Sequence, residues 1–139
     1  MLVVNMKKSI LLLLIVLLFS SILAVSGQTV ELSQTNDLNN VLSNATIENK
    51  TVMLVFDQDN CVYCDMFKKD TLNNLEVQKA LNESFIVVMV DINKNPDLAN
   101  KYHVFGTPAS VFLNGNGSEI HRIDGYVGAS EFLSELRKI

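Results

Sequence analysis

Two six-residue runs, Thr51-Val52-Met53-Leu54-Val55-Phe56 and Phe85-Ile86-Val87-Val88-Met89-Val90, carry no charge and are rich in β-branched and aromatic side chains. A strand with one wet face would show a polar residue at every second position. Neither run does, so each is expected to be covered on both faces, as in sheets flanked by helices. A third run, Ala109 to Leu113, leads through Asn114-Gly115-Asn116-Gly117 into Glu119 to Asp124. That pattern predicts a hairpin and hence an antiparallel last pair.

Helical stripes fill the intervals. Leu38, Val41, Leu42 and Ala45 share one face of a helix capped by Asn36 or Asp37 and running to about Ile47. A second helix is expected from about Cys61, with Tyr63, Phe67 and Met66 as apolar contacts; after a break at Asn73-Asn74, Val77, Ala80 and Leu81 continue the stripe. Asn95-Pro96-Asp97 opens a short helix to about Tyr102, since proline suits a first helical turn. Gly128 to Ile139 closes the chain with Phe132, Leu133 and Leu136 inward. Tyr102, Phe105 and Phe112 fit core spacing, and Met53, Met66 and Met89 read as gap-fillers. With a short strand at Val30 to Leu32, the order βαβαβαββα predicts an α/β three-layer sandwich around a mixed sheet of about four to five strands.

The first residues belong to a different class. Met6-Lys7-Lys8 is basic, Ile10 to Phe19 is unbroken apolar sequence, and Ser20 to Gly27 ends in small residues. This is the three-part pattern of a secretory signal. Residues 1–26 are therefore expected to direct export, and residues 27–139 to form one domain. Residues 10–25 fall short of the roughly 20 that span a bilayer; if retained, they would act as an anchor. The remainder carries 9 Lys+Arg against 15 Asp+Glu, a net charge of −6 that argues against nucleic acid and anionic membrane surfaces. Four Asn-x-Ser/Thr triplets, at Asn44, Asn49, Asn82 and Asn116, mark surface.

The only two cysteines stand as Cys61-Val62-Tyr63-Cys64, just after the first apolar run. In an exported chain such a pair may staple the fold, but a bridge between residues three apart closes a very small loop and stabilises little. At a strand-to-helix turn, free N–H groups and the helix dipole favour a thiolate, which is the reactive form of cysteine. Cys61 is the expected nucleophile and Cys64 the resolving thiol. Asp59 and Asp65 flank the pair and oppose the dipole. Cys61 and Cys64 with His103 or His121 would make the ligand set of an alternative, a metal-binding or client-holding module without turnover. Neither histidine has a paired spacing, and no metal or other cofactor is expected.

From about Asn36 to Ile139 the chain resembles the thioredoxin-fold proteins, particularly the small exported thioredoxin-related ones. The resemblance rests on Val55-Phe56, the Cys61-Val62-Tyr63-Cys64 pair, Val90-Asp91-Ile92-Asn93, Lys101 through Thr107-Pro108, and Gly115-Asn116-Gly117 through Asp124-Gly125-Tyr126. It implies protein thiol–disulfide oxidoreductase activity and protein thiol or disulfide substrates. It also implies a cis Thr107–Pro108 bond beside the cysteines, whose backbone pairs with substrate. Tyr63 is a candidate substrate contact, or alternatively a cover over Cys64. An exported member would act as a monomer supplied by a membrane electron donor or acceptor.

Two departures stand out. Thioredoxin carries a buried aspartate before its first cysteine and a lysine on the neighbouring strand. The corresponding positions here are expected at Val55 and Val87, which would leave Asp57, Asp59 or Asp65 to handle protons. Asn60 replaces the usual tryptophan, and Val62-Tyr63 the usual Gly-Pro.

Overall fold

The computed structural model describes residues 30–31 and 36–139, with side chains from Leu38 onward. The expected signal lies outside these, as do the side chains of Asn36 and Asp37, either of which is expected to cap the first helix. Among the described residues, five strands run β1 Val30–Glu31, β2 Thr51–Asp57, β3 Phe85–Asp91, β4 Ala109–Leu113 and β5 Glu119–Asp124. Five α-helices interleave with them: α1 Asn36–Glu48, α2 Val62–Met66, α3 Leu75–Ser84, α4 Pro96–Lys101 and α5 Ala129–Leu136. A π-helical segment, Phe67–Leu72, continues α2 without a break.

The sheet order is β1-β3-β2-β4-β5. β3 runs parallel to both β1 and β2, whereas β4 is antiparallel to β2 and to β5. The two apolar runs thus become the central β3 and β2, where both faces need cover. Alternation along β2 divides the core. Val52, Leu54 and Phe56 pack with Leu38, Leu42, Leu98 and Val111 on one side, and Met53 and Val55 with Phe67, Val77, Phe112 and Phe132 on the other.

Local chemistry sets the boundaries. The Asn73-Asn74 break is a cap: Asn74 Oδ1 accepts the N–H groups of Glu76 and Val77 at 3.0 and 3.3 Å, opening α3. The hairpin closes through Asn114 N–H to Ser118 O at 3.0 Å, with Gly117 at φ +79°, a left-handed conformation that favours glycine. Asn95 does not cap α4 with its side chain; it is buried, and its amide donates to Asp91 O at 3.2 Å. All four Asn-x-Ser/Thr asparagines are exposed.

Three expectations need correction. Phe105 is 89 % exposed, while Tyr102 and Phe112 are buried as core. Its neighbour Val104 is buried, and the turn at His103, φ +51°, leaves Phe105 facing out. Tyr63 and Met66 are also exposed, because the inward stripe of this helix is Cys64, Phe67 and Thr71. Finally, the β3 residue beside Val55 is Met89; Val87 lies beside Met53.

Candidate functional site

β2 delivers the chain to the C-terminal edge of the sheet. Asn60, at φ +58°, reverses it there, and asparagine is among the residues that tolerate this conformation. Cys61 then takes the N-cap position of α2 in extended conformation, and its Sγ accepts the Cys64 N–H at 3.1 Å. The helix is held from behind. Phe67 meets Phe132 of α5 edge-on at 5.3 Å, and the fully buried Thr71 donates its hydroxyl to Val127 O at 2.6 Å.

Cys61 and Cys64 form a disulfide, with Cα atoms 5.2 Å apart. The two sulfur-bearing residues differ in access: Cys64 is 1 % exposed, Cys61 half-buried. Opposite lies the turn before β4. The Thr107–Pro108 peptide bond is cis, and Pro108 O accepts the Gly125 N–H at 2.8 Å. Thr107 places its hydroxyl 3.5 Å and its carbonyl oxygen 3.7 Å from Cys61 Sγ. The structure therefore brings Cys61, Cys64, Thr107 and Pro108 together. Tyr63, 62 % exposed between the cysteines, stands on the outer surface.

The charge pattern differs from the expected acidic turn. Lys68 Nζ lies 3.1 Å from Asp57 Oδ2 and 3.5 Å from Asp65 Oδ1. The hydrogen bond to Asp57, with the two carboxylate charges, holds the Lys68 ammonium proton more firmly than usual. Asp57 shares the face of β2 that carries Val55, two residues nearer the cysteines. Lys68 was not evident from sequence; the signal was its position four residues after Cys64, on the same helical surface.

Among the described residues, no three His, Cys, Asp or Glu side chains form a cluster that could hold a metal ion. His121 meets Glu135 at 3.0 Å, and the His103 ring lies 6.4 Å from that of Phe105.

Residues 38–139 match the family model of the thioredoxin-like domain. The chain belongs to the thioredoxin-like family. Among curated relatives of this thioredoxin-like protein, the thiol:disulfide interchange protein DsbD of Pasteurella multocida is 37% identical over 97 residues, 66% of this chain. That of Colwellia psychrerythraea is 30% identical over 119 residues, 81% of the chain. The chain spans only 17% and 19% of these two proteins. Among solved structures, a Thermus thermophilus thioredoxin superposes with a TM-score of 0.64 at 32% identity, over 71% of this chain and 80% of that one. The oxidised C-terminal domain of Neisseria meningitidis DsbD gives a TM-score of 0.66 at 27% identity, over 78% and 97%. Among the described residues no helix is long and apolar enough to cross a membrane.

Proposed function

We propose that this chain, a thioredoxin-fold thiol–disulfide oxidoreductase, works outside the cytoplasm and reduces or exchanges protein disulfides through Cys61 and Cys64. Residues 1–26 direct its export, residues 27–139 form the working domain, and a membrane carrier supplies the electrons. The signal-like start and the likeness to DsbD, named as a thiol:disulfide interchange protein, support this setting.

One observation carries the assignment of roles: the cysteines are unequal, with Cys64 buried and Cys61 accessible beside Thr107. In the reduced protein the Cys61 thiolate, favoured by the Cys64 N–H and the helix start, attacks one sulfur of a client disulfide. A Cys61–client bond forms, and the other client sulfur leaves as thiolate. Cys64, as thiolate, then attacks Cys61 Sγ. This restores the Cys61–Cys64 disulfide and releases the second client sulfur, so two electrons and two protons pass to the client. Thr107 and Pro108 align the client backbone, and Tyr63 covers the approach. With Val55 and Met89 in place of charges, Asp57, paired to Lys68, handles the proton of Cys64.

A Cys64→Ser variant tests this by trapping. Disulfide-linked protein adducts through Cys61 should accumulate and disappear on reduction. Absence of adducts, with tight stoichiometric metal in the wild type, would instead favour the binding module.

A further inference from the structure

The hairpin between β4 and β5 carries Asn-Gly twice, as Asn114-Gly115 and Asn116-Gly117. It sits at the end of the sheet remote from the cysteines: Leu113, the last residue of β4, pairs with Val52 near the start of β2, whereas Cys61 follows the other end of β2. The carboxamide carbon of an asparagine is open to attack by the backbone nitrogen of the next residue, and a glycine there has no side chain to obstruct the approach. By sequence the two sites are equal. In the fold they differ in what each attacking nitrogen is doing.

Gly117 N–H is the nucleophile for Asn116, and it donates to Asn114 O at 2.9 Å, the bond that closes the turn. Gly115 N–H, the nucleophile for Asn114, belongs to an exposed residue and donates to no group among the described residues. The electrophiles differ less. Ser118 N–H reaches Asn114 Oδ1 at 2.9 Å and Asn116 Oδ1 at 3.1 Å. A backbone donor on that oxygen stabilises the negative charge it gains when the carbon is attacked. Asn114 thus combines a free nucleophile with the shorter of the two bonds to the carbonyl oxygen.

We propose that Asn114 is a site of spontaneous deamidation, and that Asn116 is protected while the hairpin is folded. Gly115 N bonds to Asn114 Cγ, the carboxamide C–N bond breaks, and its nitrogen leaves as ammonia with the proton that Gly115 gave up. Water then opens the cyclic imide at either carbonyl, leaving aspartate or isoaspartate; no oxidant or reductant takes part. The hairpin has little slack for the second product. A Cβ on Gly115 would lie 2.8 Å from Thr46 Oγ1, and one on Gly117 would lie 3.0 Å from Leu42 Cδ1, so the turn sits close against α1. Thr46 is itself held by the bond from its hydroxyl to Leu42 O at 2.9 Å. Isoaspartate lengthens the main chain by a carbon at the start of this turn. The modified hairpin should lose its seat on α1, and the domain some of its stability, while the cysteines at the far end keep their surroundings.

The test ages the oxidised full chain at mildly alkaline pH, in buffer and in concentrated guanidinium chloride. Samples are digested with pepsin in acid, and peptide fragmentation locates the mass gain of amide-to-acid exchange. In buffer Asn114 should react about fivefold faster than Asn116, the factor carried by one typical net hydrogen bond, here that of Gly117 N–H. In guanidinium chloride the two rates should converge. The isoaspartate-containing fraction of the aged protein should unfold at lower urea than the unaged chain. Equal rates at the two asparagines in buffer, faster reaction at Asn116, or no reaction at Asn114 would each overturn the proposal. An unchanged urea midpoint for the isoaspartate form would overturn the loss of its seat on α1.

Discussion

Thr71 offers a clean measure of what holds the cysteine helix in place. It is fully buried, and its hydroxyl donates to Val127 O at 2.6 Å, tying the π-helical segment to the link between β5 and α5. Thr71→Val keeps the shape and removes only the donor, leaving the Val127 carbonyl without that partner. An unsatisfied buried acceptor costs about 1–3 kcal/mol. Because Val127 is only half-buried and water can replace part of the bond, the lower half of that range, about 1–2 kcal/mol, is expected. For a domain of this size each kcal/mol lowers Tm by roughly 4–8 °C. Thr71→Ser, which keeps the hydroxyl and loses a methyl group, should cost about 0.8 kcal/mol. Urea unfolding of the oxidised protein, with unchanged m-value, measures both. A Thr71→Val cost under about 0.5 kcal/mol would show that the bond contributes no net stability and that aromatic packing alone fixes the helix.

Phe132→Ala removes the ring that meets Phe67 edge-on and leaves a cavity in the core beneath the cysteine helix. It should cost about 3–5 kcal/mol by urea unfolding, a large share of a typical total. Asp91 accepts the Asn93 N–H at 2.9 Å and pairs with Lys94 at 3.1 Å, which together hold its carboxyl below the ordinary value. A depressed folded value means stability present above the ordinary range near 3.9 and lost as pH falls through the folded value. Asp91→Asn should therefore be less stable than wild type at pH 7, and the gap between their urea midpoints should close in acid; a constant gap would contradict this.

The fold was readable because both strong strand signals were apolar runs too continuous for a one-sided sheet, and the hairpin and caps carried their own turn chemistry. Boundaries shifted by one to three residues, most at the C-terminal end of α5, where a fraying last turn decides them. Periodicity did not distinguish Phe105 from Tyr102, since both suit a core and only the turn at His103 determines which one points out. The cysteine pair and Thr107-Pro108 were legible as motifs. The Asp57–Lys68 pair was not, because it joins a strand end to a helix through three-dimensional contact. Sheet register likewise follows from pairing, so Met89, not Val87, faces Val55.

The reduction potential of the Cys61–Cys64 couple, measured by equilibrating the full chain with dithiol buffers, tests the redox role most directly. A value near about −270 mV, like that of a reducing thioredoxin, is expected. A value below about −300 mV would mark an inert structural bridge, and one near −120 mV an oxidant; either would contradict a disulfide-reducing role.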